Sequence, residues 1–217
     1  MTNSIWENYL KAIYKLTQKN PDGGYTNDIA FEMNVKPSSV SEVLKKLSEN
    51  LFINYTKYKA VTLTEKGKQI ALKTIRKHRL WEVFLVEKLG YKWDEIHPMA
   101  EELEHIHFDD LTERLATFLG NPQFDPHGDP IPDSNGNMIV NKSIKLTAVK
   151  LGETVAMTGI DHDSAAFLRH LNRLGLTLGT KLTILEIVEF DKSMLVRMND
   201  ENEFYMSAEI ASNILCR

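Results

Sequence analysis

Cysteine is nearly missing from this chain: Cys216, one residue before Arg217, is the single thiol in 217 residues. One thiol forms no intramolecular disulfide, so no covalent staple is expected and a reducing compartment suits the chain. Long apolar runs are missing as well. Polar residues break the run Ile5-Trp6-Glu7-Asn8-Tyr9-Leu10-Lys11 almost at once, and no stretch approaches the ~20 apolar residues that cross a bilayer. Neither a signal peptide nor a membrane helix is expected, and the chain reads as soluble and cytoplasmic. A glycine-rich phosphate loop and a nucleophile–base pairing are also lacking, which argues against the common nucleotide-dependent and hydrolytic enzymes.

What is present is unevenly charged. The net charge is −4, yet residues 1–80 hold 14 Lys/Arg against 7 Asp/Glu, and the rest holds 12 against 23. A basic first part followed by an acidic remainder points to nucleic acid at one end and cations at the other. Chance segregation of solvated charge would look the same.

Apolar spacing organises the chain. Ile5, Tyr9, Ala12, Ile13 and Leu16 share one helical face, and Asn20-Pro21-Asp22-Gly23-Gly24 marks a turn. A short helix from Thr26 to Met33 follows, then a tight turn at Asn34-Val35-Lys36, where Asn tolerates a left-handed backbone. Pro37 opens a third helix, to about Asn50, with Val40, Val43, Leu44 and Leu47 inward. Phe52 to Tyr55 and Ala60 to Leu63 flank Thr56-Lys57-Tyr58-Lys59 as a β-hairpin. Thr64-Glu65-Lys66-Gly67 then opens a long helix to about Leu89, and another is expected from near Pro98 to before Gly120. Residues 121–143, rich in Pro, Gly, Asn and Asp, read as an irregular connector. The remainder alternates like strands (181–187, 194–198) around one short helix, Asp163 to Leu174, and forms a small β-barrel-like domain. The fold class expected is mainly α with a small β domain, divided as 1–72, 73–140 and 141–217.

Helix, turn, helix and hairpin follow in the order of a winged helix-turn-helix, whose second helix presents its N-terminal residues to base edges. Those residues are Pro37, Ser38, Ser39 and Glu42. Serine hydroxyls donate or accept, and a carboxylate accepts from a cytosine amino group. Lys45 and Lys46 suit phosphates, and Lys57, Tyr58 and Lys59 at the hairpin tip suit backbone or minor-groove contact. The plainer alternative is that both serines cap the helix and the lysines form a solvated face.

Ligand-type residues recur at helical spacing further on. His78 and Glu82 are four apart, and Glu101, Glu104 and His105 stand at i, i+3 and i+4, with His97 where that helix begins. Carboxylates and imidazoles so grouped repel one another unless a divalent cation balances them. Charged helices in water also show such spacings. His107 has no partner of this kind and reads as surface or core.

With these residues in view, the chain resembles the diphtheria-toxin-repressor family of iron- and manganese-dependent regulators. The stretches that carry the likeness are Glu7 to Tyr14, the helix-turn-helix, Arg76 to Leu80 with Glu82, and His97 to His105. The tail resembles the family's SH3-like (FeoA-like) β-barrel. The resemblance implies a homodimer built on a helical dimerisation domain, a double-stranded palindromic operator, and a non-enzymatic, metal-dependent repressor of metal-homeostasis genes. It also implies a primary site of Glu101, Glu104 and His105 with Asn8, and a second of His78, Glu82 and His97. Asp125, His127 and Asp163 match ligand positions in three-domain members. Asn8 departs from the usual Asp or Met, and Lys11 stands where some two-domain manganese sensors carry Glu. The implied ligands are oxygen and nitrogen donors with no thiolate, which suits Mn²⁺ or Fe²⁺. Two rivals stand beside this reading: a winged-helix regulator of an organic ligand, and a metal-dependent hydrolase using Glu101, Glu104 and His105.

Overall fold

The computed structural model describes residues 3–140, 142–162 and 164–217. The chain divides into two compact units. One comprises residues up to Trp81 with Ala100–Phe118 and Pro132–Met138. The other comprises Glu82–Met99, Leu119–Ile131 and Ile139–Arg217.

In the first unit, α1 (Ser4–Lys19) starts where the Asn3 side chain accepts the Trp6 N–H, an N-cap that satisfies one of the helix's orphan donors. It buries Tyr9, Leu10, Ala12 and Ile13, but Ile5, expected on the same stripe, is 56% exposed in the first turn. The short α2 (Thr26–Glu32) ends in a tight turn with Asn34 at φ +51°, the left-handed backbone anticipated there. Then α3 (Pro37–Glu49) begins with its proline at the first helical position. β1 (Ile53–Asn54) and β2 (Thr62–Leu63) pair antiparallel, Ile53 opposite Leu63. The long α4 (Glu65–Glu87) leaves this hairpin at Gly67. A Cβ there would lie 2.0 Å from the Phe52 carbonyl oxygen, so only glycine permits the close approach. Leu10, Ile13, Ile29, Val40, Leu44, Leu47 and Val61 have no exposed surface and join these elements in one core. Each such aliphatic side chain contributes about 1.5–3 kcal/mol on burial.

The single helix expected from Pro98 to Gly120 is two: α5 (His97–Leu103) and α6 (Asp109–Phe118). Asp109 and Asp110 suit a first turn through their favourable interaction with the helix dipole. A new helix therefore starts there, and Glu104 to Phe108 form a turn between the two.

The second unit carries the β structure. β3 (Ile144–Lys145) leads through a 3-10 turn (Leu146–Ala148) to β4 (Thr154–Ile160), then α7 (Ala165–Leu174), β5 (Lys181–Ile187), β6 (Met194–Met198) and β7 (Asn202–Met206). α8 (Ala208–Ser212) and β8 (Ile214–Cys216) complete it. The six strands form an antiparallel sheet in the order β3-β8-β4-β5-β6-β7, an SH3-like arrangement. Among the described residues no pairing joins β7 back to β3, so the expected barrel is an open one. Alternation places Leu182, Ile184, Met194 and Val196 inward with Leu146, Leu171 and Ile214. Cys216 belongs to this core, and burial pushes its thiol up to about 12. α7 is capped by Ser164, whose hydroxyl accepts the Phe167 N–H. The expected start at Asp163 is therefore displaced, and Asp163 lies outside the described residues.

A candidate metal centre behind a winged helix

The residues expected to face nucleic acid lie on the surface. Pro37, Ser38, Ser39, Glu42, Lys45 and Lys46 are all exposed on α3. Lys36 is the N-cap and makes no side-chain cap bond, so neither serine caps the helix and both hydroxyls lie on the open face. At the hairpin tip the Lys59 N–H donates to the Thr56 carbonyl at 3.0 Å and closes the turn. Tyr58 takes φ +67° and is 86% exposed, with the Lys57 ammonium 5.0 Å from its ring centre. Lys57 and Lys59 are exposed on either side of it.

Behind this face, the first unit gathers charged groups around Glu104, whose side chain has no solvent exposure. Glu104 still lies in register with α5, since its N–H donates to Ala100 O at 2.9 Å. Its Oε1 accepts from the Lys11 ammonium of α1 at 2.6 Å, and its Oε2 lies 2.5 Å from His78 Nδ1 of α4. Glu101 Oε1 is 2.8 Å from the same ammonium and 3.9 Å from His78 Nδ1. His105 turns one ring nitrogen, Nε2, to within 3.7 Å of Glu104 Oε1. Its other nitrogen, Nδ1, lies 2.6 Å from Glu7 Oε2. Lys77 is buried nearby. Burial lowers its pKa, and Glu7, Glu104 and Asp109 pull it back up.

Asn8 sits on α1 between Glu7 and Lys11, one turn from the latter and so on the same face. Its side-chain oxygen is buried and accepts no hydrogen bond. A buried orphan acceptor is costly unless something binds it. On the helix that meets Glu104 through Lys11 and His105 through Glu7, a cation would fit that role.

The second unit holds another group. Glu82, Asp125 and His127 are all buried, and each offers a ligand atom within 4.8 Å of the others. His97 joins them, its Nδ1 3.6 Å from Glu82 Oε1. The connector that carries Asp125 and His127 is irregular but tightly tied. Asp125 Oδ1 accepts the N–H groups of His127 and Asp129 at 2.8 and 3.0 Å. The His127 carbonyl accepts from Ile160 N of β4 at 3.1 Å. Gly128, at φ +89°, lies so close to β4 that a Cβ would come 2.2 Å from Thr158 O. His127 Nε2 faces the Trp93 carbonyl at 3.1 Å, and Nδ1 lies 3.8 Å from Glu82 Oε2. Burial works to lower this imidazole's pKa, but the Glu82 carboxylate, Asp125 and the Trp93 carbonyl outweigh it, and it rises to about 9.

The predicted ligands thus fall into two groups. Glu101, Glu104, His105 and His78 converge in the first unit and Glu82, Asp125 and His127 in the second, where His97 contacts Glu82. His78 stands against Glu104, although its spacing paired it with Glu82. Two buried participants were not legible: Glu7, and Lys11 as an ion-pair partner. The one signal for either was that both are charged residues on the buried stripe of α1, flanking Tyr9 and Leu10.

A winged helix-turn-helix joined to clustered carboxylates and imidazoles and to an SH3-like sheet defines a metal-responsive DNA-binding regulator. Three family descriptions match in series: "Iron dependent repressor, N-terminal DNA binding domain" over residues 1–61, "Iron dependent repressor, metal binding and dimerisation domain" over 64–133, and "FeoA domain" over 144–217. An uncharacterised HTH-type transcriptional regulator of Methanocaldococcus jannaschii is 40% identical over 119 residues, 55% of this chain and 94% of that protein. The iron-dependent repressor IdeR of Mycobacterium tuberculosis is 33% identical over 126 residues, 58% of this chain and 54% of its own length. A manganese-dependent transcriptional repressor solved in complex with manganese superposes with a TM-score of 0.87 at 35% identity, covering 97% of this chain and 98% of that one. The chain belongs to the diphtheria-toxin-repressor family, in its three-domain form. That family consists of transcriptional regulators and not of enzymes.

Proposed function

We infer that this protein is a metal-dependent transcriptional repressor that binds double-stranded DNA as a homodimer when Mn²⁺ or Fe²⁺ is available. The observation that supports the reading is the convergence of Glu101, Glu104 and His105 against α1, the helix that carries Asn8. Asn8 presents a buried side-chain oxygen that accepts no hydrogen bond, and Glu104 is unexposed, held by Lys11 and His78. Oxygen and imidazole donors suit Mn²⁺ and Fe²⁺, and the one thiol is sealed in the C-terminal core. Bound metal supplies a charge centre shared by α1 and the turn after α5. The residues of this chain then hold α1 and its DNA-reading helix in one orientation, which raises effective affinity by removing incompetent orientations. Glu82, His97, Asp125 and His127 form the second site in this reading, with His78 facing the first.

The three-domain division is 1–72, 73–140 and 141–217. Leu111 (40% exposed) and Phe118 (65%) stand seven apart on α6, with Phe108 (72%) just before its first turn, and these exposed apolar side chains support dimerisation there. A two-fold dimer presents two α3 helices, so its operator is an approximate palindrome, with half-sites about 34–36 Å apart or a multiple of that. Metal-homeostasis genes are its targets and the cytoplasm its compartment; no helix among the described residues is long and apolar enough to cross a membrane. No observation favours an organic ligand.

The deciding experiment is an operator gel shift with chelator-stripped protein, titrated with single metals. The expected result is binding that needs Mn²⁺ or Fe²⁺ and that Glu104→Gln abolishes. Equal binding with and without metal would defeat the reading, and a single asymmetric half-site in a footprint would defeat the palindrome.

A further inference from the structure

The Glu7 carboxylate is buried to 3% exposure, a costly place for a charge that had no task. Both of its oxygens face imidazoles: Oε2 lies 2.6 Å from His105 Nδ1, and Oε1 lies 3.6 Å from His107 Nδ1. His107 is half exposed, whereas the His105 ring is mostly enclosed, and the shorter contact is with His105. A carboxylate at Nδ1 accepts the Nδ1–H. That fixes the tautomer whose lone pair lies on Nε2, and Nε2 is the nitrogen turned toward Glu104 Oε1 at 3.7 Å. The same hydrogen bond fixes the plane of the ring and raises the basicity of Nε2.

We propose that Glu7 is a positioning residue of the primary metal site, holding His105 with Nδ1–H toward α1 and Nε2 toward the cation beside Glu104. The inference rests on the reading of Glu101, Glu104 and His105 as primary ligands. Glu7 never touches the metal. It precedes Asn8 on α1, so the first helix grips the metal-bearing turn twice, once through the Asn8 oxygen and once through the Glu7–His105 bond. His105 is thereby set in its coordinating pose before metal arrives, which lowers the ordering entropy that binding must overcome. The competing role is an ordinary buried ion pair that holds the turn in place with no influence on which nitrogen coordinates.

The test uses the full-length protein and Mn²⁺ alone, with free Mn²⁺ read by its electron paramagnetic resonance signal. Glu7→Ala weakens the tight Mn²⁺ site by about 10–100-fold, the usual cost of losing such an outer partner. Glu7→Gln keeps affinity near that of the wild type, because its amide oxygen accepts the same N–H. In a His105→Ala background, Glu7→Ala costs nothing further. In Cd²⁺-loaded wild type, nitrogen-15 spectra of the His105 ring show metal on Nε2 and a retained proton on Nδ1. Coordination through Nδ1 overturns the proposal, as does an equal loss from Glu7→Ala with and without His105. If His105→Ala leaves Mn²⁺ binding unchanged, the primary-site reading falls. If His105→Ala weakens binding and Glu7→Ala does not, only the role of Glu7 falls.

Discussion

Lys11 Nζ lies 2.6 Å from Oε1 of Glu104, a carboxylate with no solvent exposure. A cation of the chain's own thus stands among the residues read as primary ligands, and Glu101 shares it at 2.8 Å. Without metal the ammonium balances these carboxylates. With metal it competes for their oxygens.

Lys11→Met keeps the length of the stem and removes the charge. Removing one partner of a buried ion pair costs about 3–5 kcal/mol, because the other charge is left uncompensated. The metal-free variant should therefore melt well below wild type. Added Mn²⁺ supplies the missing charge, so its stabilising shift should exceed that of wild type. Thermal melts with and without Mn²⁺ decide this. Equal metal-induced shifts in the two proteins would remove Lys11 from the site.

His127 gives a pH dependence of definite sign. Its pKa rises from 6.5 to about 9 in the folded protein. A raised folded-state value means that the stabilisation is complete below about 6.5 and is lost as pH climbs through about 9. Metal-free wild type should lose stability across that window, and His127→Gln should show a flatter profile. Because a coordinating imidazole must be neutral, metal uptake at Glu82, Asp125 and His127 should release a proton and tighten as pH rises toward 9. Chelator-stripped melts at stepped pH, with calorimetry in two buffers of different ionisation heat, measure both. A flat stability profile for wild type, or metal uptake without proton release, would contradict the assignment.

Residues of α3 and of the hairpin tip are expected to make two kinds of contact with DNA. Lys45→Ala and Lys59→Ala should weaken binding to every sequence alike and lower the salt slope by about one unit each. Ser39→Ala and Glu42→Ala should instead alter which bases are preferred, as base-edge contacts do. Salt-dependent titrations against an operator and a scrambled duplex separate the two. Altered base preference in the lysine variants with an unchanged slope would reverse the division.

Periodicity made most of this fold legible. The stripes of Val40, Leu44 and Leu47 on α3 and of Leu182 and Ile184 on β5 are buried as their spacing requires. The left-handed turn at Asn34 followed from its side chain. The break after Leu103 was not legible, because Glu101, Glu104 and His105 keep helical spacing across it, while the reason to stop is the acidic start of α6 at Asp109. Ligand residue types and the set Glu101, Glu104 and His105 were legible for the same reason of spacing, but the partners that meet them from α1 were not. Lys11 meets Glu104 across 93 positions and Glu7 meets His105 across 98, and such contacts are set by tertiary packing and not by any local pattern. His78 is a further case: set four residues from Glu82 along α4, its ring also meets Glu104, 26 positions away.

Asn8 offers the sharpest test of metal at the primary site. Its side-chain oxygen is buried and accepts no hydrogen bond, a cost in free energy that a coordinated cation would recover. Asn8→Asp replaces that neutral oxygen with a charge. In the absence of metal the charge is buried where the neutral oxygen has no hydrogen-bond partner, so the variant should melt lower than wild type. In the presence of Mn²⁺ a third carboxylate faces the ion, so the binding midpoint should fall. Asn8→Ala deletes the orphan acceptor. Its metal-free form should be as stable as wild type or more so, and its Mn²⁺ midpoint should rise. The two variants therefore move apo stability and metal affinity in opposite directions, a pattern that simple damage to α1 does not produce, since damage lowers both. The measurements are metal-free melting temperatures and Mn²⁺ titrations of operator binding for the three proteins. Identical Mn²⁺ midpoints would take Asn8 out of the site, and a lower midpoint for Asn8→Ala would mean that its oxygen opposes the metal instead of holding it.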